Sequence, residues 1–249
     1  MNLTPPPGYA LAVYDEIDST NEEAKRRAEA GERGPLWIVA RRQSAGRGRR
    51  GRSWTSEPGN LFATLLIAPD RSAADSARLS FAAALSVFDV TEAACPGVSV
   101  ALKWPNDVLI GGAKCAGILL ESAGEQAGVL PWLAAGIGVN LAHAPENTPY
   151  PATSLARHGA TLDPDRGAAS LMAAWARWYS LWREQGFGPL RRAWLDRAQG
   201  LGEPVTARLA DNTLNGLFEG LDAEGRLQLR MADGSLQTVS SGEIFFGAR

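Results

Sequence analysis

Hydrophobic and polar positions along the first third of the chain predict strands alternating with one helix. A short apolar stretch predicts a strand over residues 10–14. Ser19 or Thr20 then offers a hydroxyl that can cap a helix, so a helix is predicted to reach about Ala30. The segments PLWIVARRQ and NLFATLLIAP each predict a buried strand, and a polar loop separates them.

The middle of the chain carries longer patterns. SAADSARLSFAAALSVFDVTEAAC predicts one long buried helix. VSVALKWPNDVLIGGAKCAGILLESA predicts a strand, a tight Gly111–Gly112 turn and a second strand, and LPWLAAGIGVNLA predicts another strand. A helical pattern over residues 168–198 is interrupted near residue 186. Four tryptophans in it are predicted to pack in the core: Trp175, Trp178, Trp182 and Trp194.

The pattern changes after about Gly200. Short β-like runs alternate there with Gly, Asp and Asn turns over about 50 residues, which predicts a small antiparallel barrel or sandwich. We therefore expect two domains, over residues 1–198 and 199–249.

The charge distribution indicates one local positive region on an acidic protein. The 249 residues carry a net charge of −2, and without six clustered arginines the balance is 19 basic against 27 acidic residues. A general nucleic-acid binder would be basic over a whole face, whereas a local cluster suits a small anionic ligand. The six arginines are Arg41, Arg42, Arg47, Arg49, Arg50 and Arg52.

Cysteine, histidine and terminal patterns exclude several classes. The two cysteines, Cys95 and Cys115, and the two histidines form no cluster with zinc spacing, so we expect two buried free thiols. The N-terminal sequence has no signal-peptide pattern, and no apolar run reaches the roughly 18 residues that a membrane span requires. We expect a cytoplasmic protein with no membrane association.

The loop SAGRGRRGRSW permits three motif interpretations: a dinucleotide fingerprint, a phosphate loop with Arg in place of Lys, and a nucleic-acid patch. The first two require a helix after the glycines, but Pro58, Gly59 and Asn60 precede a strand pattern instead. What remains is a strand-to-strand loop whose guanidinium groups can bind phosphate or carboxylate. Mutual repulsion of its arginines predicts that the free loop is mobile and that an anionic ligand orders it. The alternative is a solvated basic loop.

Four segments together resemble the biotin protein ligases. QSAGRGRRGRSW resembles the signature loop of that family, KWPNDV followed by GGAKCAGIL resembles its second signature, GIGVN its third, and STN its N-terminal biotin segment. The resemblance covers residues 10–246. It implies an α+β fold in which a mixed, mainly antiparallel sheet is covered by helices on one side, followed by a small SH3-like β-barrel.

The resemblance also implies a two-step reaction. Biotin and MgATP give biotinyl-5′-AMP and pyrophosphate, and the adenylate then acylates a lysine of a biotin carboxyl carrier protein. Lys114 would stand between the biotin carboxylate and the α-phosphate, where a cation stabilises the charge of the transition state. Arg47 and Arg49 would complete the catalytic set. Lys114 is one of only three lysines, against 22 arginines, which favours a demand for a compact charge.

The remaining site residues follow from the same resemblance. The biotin site would be formed by Ser19, Thr20, Asn21, Gln43, Arg47, Gly48, Arg49, Lys114, Gly117 and Ile118. The ATP site would be formed by Arg50, Arg52, Trp54, Lys103, Asn106 and Asn140, with Asp107 as the Mg²⁺ ligand because hard oxygen ligands suit that ion. Each has a simpler alternative: Ser19 and Thr20 can serve only as helix caps, PND only as a turn, and Lys114 only as a solvated turn residue.

Two departures from the family and two competing functions complete the sequence-based hypothesis. STN begins at residue 19, which leaves no room for the helix-turn-helix domain of the repressor-type members, so we expect no DNA binding. Gly247 stands where some relatives have a basic residue, and the nearest arginine is Arg249, which puts a C-terminal contact to ATP in doubt.

The alternative functions are a lipoate or octanoate ligase of the same fold, and a non-enzymatic nucleotide- or RNA-binding module. The oligomeric state is not predicted.

Overall fold

The computed structural model describes residues 3–146 and 148–247. Its larger sheet has seven strands in the order β1-β2-β3-β7-β6-β5-β4, in which β1 and β2 are parallel and every other pair is antiparallel. The strands are β1 Ala10–Ile17, β2 Leu36–Gln43, β3 Leu61–Ile67, β4 Val100–Lys103, β5 Asp107–Ile110, β6 Ala113–Ser122 and β7 Leu133–Val139. The predicted mixed, mainly antiparallel sheet is confirmed.

The α-helices of the described chain are α1 Thr20–Glu29, α2 Ala73–Ala77, α3 Leu79–Ala94, α4 Pro164–Gln185 and α5 Phe187–Leu195, of which α1, α3 and α4 pack against this sheet. In β2, Trp37 and Val39 join the main core with α3, α4 and α5. Leu36 and Ile38 instead pack with Ala24 and Ala28 of α1 in a second, smaller cluster. Strand alternation thus gives the sheet two apolar faces, and the expectation that helices cover one side only is corrected.

A second sheet follows α5. Its strands are β8 Pro204–Arg208, β9 Thr213–Leu221, β10 Leu227–Arg230, β11 Leu236–Val239 and β12 Glu243–Phe246, in the order β11-β10-β9-β8-β12. Every pairing is antiparallel, which confirms the predicted β-rich C-terminal part. The predicted domain boundary at residue 198 falls between α5 and β8 and stays a prediction.

The turn between β9 and β10 fixes the second sheet to the first part of the chain. Trp104, which follows β4, donates its indole N–H to the carbonyl of Gly225 at 3.2 Å, in a buried position. A Cβ at Gly225 would stand 2.7 Å from the Phe81 ring, so only glycine fits there. Residues of both sheets belong to one continuous core cluster.

Three predicted elements differ in detail. The long helix over residues 72–95 is divided at Arg78 into α2 and α3, and Arg78 forms an ion pair with Asp75. The single strand predicted before the glycine turn is instead the β4–β5 hairpin, because residues 104–106 turn the chain and Lys103 pairs with Asp107. Strand β1 continues to Ile17, three residues beyond its predicted end.

The other helical predictions are confirmed. Ser19 caps α1, and Gly186, at φ 71°, separates α4 from α5. Trp175, Trp182 and Trp194 are buried as predicted, whereas Trp178 is only partly buried against the core and donates its indole N–H to Asp89 at 2.8 Å. Both cysteines are free and buried. Among the described residues, no helix combines the length and the apolar character that crossing a bilayer requires.

The central position of α3 gives a test of the core. Leu85 of α3 is fully buried, whereas Leu236 of β11 is 43% exposed. Leu85→Ala should lower the free energy of unfolding by about 2–5 kcal/mol, because it removes buried surface and leaves a cavity. Leu236→Ala is the control and should change it by less than about 0.5 kcal/mol. Urea denaturation measures both, and equal losses would contradict the assigned core.

Candidate active site

The polar N-terminus of α1 forms the first wall of the site. Ser19 is extended and its hydroxyl accepts a hydrogen bond from the Asn21 backbone N–H at 3.3 Å, as an N-cap does. Thr20 donates from its backbone N–H (2.8 Å) and from its hydroxyl (3.1 Å) to Oε1 of Gln43, at the end of β2. Four of the residues predicted for the biotin site therefore lie together: Ser19, Thr20, Asn21 and Gln43.

Asn21 is held from three sides. Its Oδ1 lies 2.6 Å from the hydroxyl of Thr64, and its Nδ2 donates to Oε2 of Glu121 at 2.8 Å. On strand β7, a Cβ at Gly136 would stand 2.1 Å from the Asn21 Oδ1. The amide therefore reaches the sheet only because residue 136 is glycine.

The arginine loop closes on itself rather than leading into a helix. Arg47 and Ser53 form an antiparallel bridge, and the backbone N–H of Trp54 donates to the carbonyl of Gly46 at 2.9 Å. A single 3₁₀ turn, Arg49–Gly51, forms its tip, and Arg50 there has φ 56°. The structure thus agrees with the rejection of the dinucleotide and phosphate-loop motifs. A non-glycine residue in this conformation costs about 1–3 kcal/mol, and such strain is often found at functional sites.

Most of the loop arginines have an acceptor in the protein. Arg47 forms ion pairs with Glu22 and, at 3.0 Å, with Glu121. Arg49 donates to Oδ1 of Asn106 at 3.1 Å. Within the described chain, Arg50 has neither an ion pair nor a side-chain hydrogen bond. These contacts offset the mutual repulsion of the loop arginines. The mobility of the free loop, which was predicted from that repulsion, stays a prediction.

The fourth loop arginine reaches the C-terminal sheet. Arg52 forms an ion pair with Glu243 of β12, whose other oxygen accepts the hydroxyl of Tyr150 at 2.8 Å. For Arg49, burial and then the charge of Arg50 lower the pKa of the guanidinium. An anion that enters the site would therefore stabilise the charged form of Arg49.

Trp54 lies over a bare part of the sheet. A Cβ at Gly138 would stand 2.5 Å from its ring, and one at Gly117 would stand 3.0 Å away. The Nζ of Lys114 lies 5.4 Å from the ring centroid, within cation–π range. The indole N–H is buried without a hydrogen-bond partner in the described structure. A ligand that used this surface would displace the ring, and the predicted place of Trp54 in the ATP site stays a prediction.

Lys114 and Asp107 form the charged centre of the site. The Nζ of Lys114 lies 2.6 Å from Oδ1 of Asp107, and both side chains are mostly buried. Strands β5 and β6 bring the two groups together because Asp107 pairs with Gly117 across the strands. The Lys114 side chain extends along β6 towards Gly117, and its Nζ lies 3.2 Å from the position that a Cβ at Gly117 would take. Lys114 is thus held in place by an acid and is not a solvated turn residue.

Asp107 is the residue predicted to be a metal ligand. No group of three or more His, Cys, Asp or Glu side chains that could hold a metal ion occurs among residues 3–146 and 148–247. Mg²⁺ often needs only one or two carboxylates when phosphates complete its coordination. A single acid therefore fits a magnesium ion that arrives with a nucleotide, but does not form a metal site by itself.

Lys103 occupies an aromatic cage at the edge of the site. Its Nζ lies 5.4 to 5.7 Å from the ring centroids of Tyr150, Phe245 and Phe246. Burial lowers the pKa of Lys103, and the nearby Asp107 partly offsets that effect. The cage ties the KWPND segment to strand β12.

Two predicted residues do not present their side chains to this cluster. Asn140 is buried, and its Nδ2 donates to the carbonyl of Thr153 at 3.1 Å. The Ile118 side chain lies in the main core, so β6 presents Gly117 to Trp54 instead. Gly247 is described and lies next to β12, whereas Arg249 lies outside the described residues.

Sequence reasoning missed the carboxylates that hold the arginines. Glu22, Glu121 and Glu243 all have this role, and Thr64 completes the Asn21 site. For Glu121 a signal existed, since it lies four residues after Gly117 on one strand and therefore on the same face. The pairs Glu22–Arg47 and Glu243–Arg52 join residues that are far apart in the chain, so no local sequence pattern indicates them.

The comparisons with known proteins agree with this geometry. The model described as Biotin/lipoate A/B protein ligase family matches residues 13–140, and the model described as Biotin protein ligase C terminal domain matches residues 200–247. The chain belongs to the biotin/lipoate A/B protein ligase family. It is 46% identical over 238 residues to a biotin--[acetyl-CoA-carboxylase] ligase of Paracoccus denitrificans, covering 92% of this chain and 98% of that one.

Two further similarities extend the comparison. A bifunctional ligase/repressor BirA of Bacillus subtilis strain 168 is 32% identical, over 96% of this chain and 75% of that protein. Among solved structures, a biotin protein ligase from Aquifex aeolicus in complex with biotin and ATP superposes with a TM-score of 0.81 at 27% identity, covering 96% of this chain and 99% of that one.

The close approach of Asn21 to β7 gives a test of the site. Gly136→Ala places a methyl carbon 2.1 Å from Oδ1 of Asn21, so the buried amide must move. The free energy of unfolding should fall by about 1–3 kcal/mol, as overpacking does. Gly124→Ala is the control, because nothing lies within 4 Å of that position. If chemical denaturation finds the two variants equally stable, the Asn21 arrangement is wrong.

Proposed function

We propose that the protein is an ATP-dependent biotin protein ligase. It joins biotin to AMP with release of pyrophosphate, and then transfers biotin to one lysine of the biotin carboxyl carrier protein of acetyl-CoA carboxylase or a related carboxylase. The observation that carries the proposal is Lys114, held by Asp107 beside the glycine surface under Trp54. Family membership supports it independently.

Lys114 addresses the main obstacle of the first step. An oxygen of the biotin carboxylate must attack the α-phosphorus while the bond to pyrophosphate breaks, and both reactants are anions. A fixed ammonium between them stabilises the charge that builds in the transition state. Asp107 fixes the position of that ammonium at 2.6 Å. In the second step the acceptor lysine amine attacks the acyl carbon, loses a proton, and AMP leaves.

The α1 wall is suited to the ureido group of biotin. That group offers two N–H donors and one carbonyl acceptor, and hydroxyl and amide side chains can complement both kinds. Ser19, Thr20, Asn21 and Gln43 supply such groups at one place. Gly117 leaves the sheet bare, as close approach of an apolar ring and chain requires.

The arginine loop is assigned to the phosphates and to closure. Arg47, Gly48 and Arg49 cover the bound intermediate, while Arg50 and Arg52 contact ATP phosphates. The assignment is supported by Arg50, which has no ion pair or side-chain hydrogen bond in the described chain, and by Arg52, whose side chain stays 50% exposed in its pair with Glu243. An exposed pair contributes about 0–1 kcal/mol and is readily exchanged for a phosphate.

Trp54, Lys103, Asn106 and Asn140 complete the proposed ATP site. Trp54 would leave the glycine surface and pack on the adenine, and Asn140 would contact the adenine edge only after its amide leaves the Thr153 carbonyl. Asn106 supports Arg49 at 3.1 Å, and Lys103 adds positive potential from the aromatic cage. Asp107 is proposed to hold Mg²⁺ together with the phosphates, where the ion would neutralise charge on ATP.

Family membership alone leaves lipoate or octanoate transfer as the alternative. The match of residues 200–247 to the biotin protein ligase C-terminal domain favours biotin. A non-enzymatic nucleotide- or RNA-binding role would leave the Lys114–Asp107 pair and the α1 wall without a purpose. Location in the cytoplasm and the absence of DNA binding stay predictions.

Biotin-dependent exchange of pyrophosphate into ATP tests the first step directly. We expect activity in the wild type and a loss of about 10²-fold or more in Lys114→Ala, since removal of a transition-state stabiliser costs that much. Lys25→Ala, an exposed substitution on α1, is the matched control and should keep full activity. Exchange with lipoate but not with biotin would overturn the substrate assignment, and no exchange with either would overturn the enzyme proposal.

A further inference from the structure

Glu121 near the end of β6 joins two parts of the proposed site that are otherwise separate. Its Oε2 accepts the amide N–H of Asn21 at 2.8 Å, and its Oε1 lies 3.0 Å from a guanidinium nitrogen of Arg47. Asn21 belongs to helix α1, and Arg47 belongs to the arginine loop. One carboxylate thus uses one oxygen for the α1 wall and the other for the loop.

The orientation of the Asn21 amide depends on this contact. The Thr64 hydroxyl, 2.6 Å away, can donate to Oδ1, and the Leu119 carbonyl lies 3.4 Å from Nδ2. The amide occupies the space that Gly136 leaves free on β7. Of the two acceptors at Nδ2, the carboxylate is the closer and is charged, and charge-assisted hydrogen bonds are about twice as strong as neutral ones.

Arg47 is held by two carboxylates with different connections. Glu22 contacts Arg47 from α1 itself, whereas Glu121 contacts both Arg47 and Asn21. Substitution of either acid removes one negative charge beside Arg47. Only substitution of Glu121 also removes the acceptor of the Asn21 amide. The pair of acids therefore separates a general effect of charge from the effect of the shared contact.

We propose that Glu121 is a positioning residue, which sets the Asn21 amide and the Arg47 guanidinium in one arrangement for binding biotin. It acts through those two residues. The inference rests on the proposed biotin ligase function. It predicts that Glu121 affects the biotin step much more than the ATP step, because Lys114, Asp107 and Arg52 have other partners.

Glu121→Gln is the informative substitution because it keeps the shape and changes the bonding. A carboxylate can accept from Asn21 and Arg47 at once, whereas a carboxamide has one acceptor oxygen and turns an N–H₂ donor towards the other partner. In the pyrophosphate exchange assay, the KM for biotin should rise by about tenfold or more, the range expected for a lost hydrogen bond to a charged group. The KM for ATP should change by less than about twofold.

Two controls distinguish the possible outcomes. Glu22→Gln should raise the biotin KM much less, and Glu121→Gln should add little to Asn21→Ala, because contacting residues are not additive. A fall in kcat with both KM values unchanged would indicate a merely structural role and would overturn the inference. So would equal effects of Glu22→Gln and Glu121→Gln, or full additivity with Asn21→Ala. An inactive wild type in the same assay would instead overturn the proposed function, and the inference with it.

Discussion

The bare backbone of strands β6 and β7 is the constraint on which the site depends. Gly117, Gly136 and Gly138 present no side chain, and a single Cβ at any of them would come within 3.0 Å of Asn21 or Trp54. The polar groups around this bare surface come from α1 and the arginine loop and from neighbouring strand positions, which supply Asp107, Lys114 and Glu121. This arrangement leaves a main-chain surface without side chains and with hydrogen-bonding groups beside it, which permits close approach of a ligand.

The second constraint is the density of positive charge in the arginine loop. The loop is fixed at several points because Arg47, Arg49 and Arg52 contact acidic or amide acceptors. These acceptors lie on α1, β6, β12 and the β4–β5 hairpin. The Arg47 and Arg52 side chains are nevertheless 45% and 50% exposed. Pairs this exposed are individually weak, so a phosphate can replace a carboxylate at little cost. The same contacts can hold the free loop and release its arginines to a ligand.

Periodicity predicted most elements because each is long enough to show an apolar face. It failed where an apolar pattern continued through a change of direction. VALKWPNDVLI is apolar on both sides of a three-residue turn, and the Ser- and Ala-rich run around Arg78 keeps its helical spacing across a break. In the site, the sequence predicted the arginines as candidate ligand-binding groups but not the acids Glu22, Glu121 and Glu243 that hold them. Arg52 and Glu243 are 191 residues apart, and only the packing of the second sheet brings them together.

That packing makes the C-terminal sheet part of the site. Strand β12 supplies Glu243 for Arg52 and two rings of the Lys103 cage, while the β9–β10 turn receives the Trp104 indole. Lys103 and Trp104 adjoin in KWPND, so one short segment is fixed to the second sheet at two points. Because a continuous core runs through both sheets, the position of this segment, and of Asp107 after it, depends on the fold of both. The second sheet thus affects the candidate active site through the groups that it orients, whether or not its last residues contact ATP.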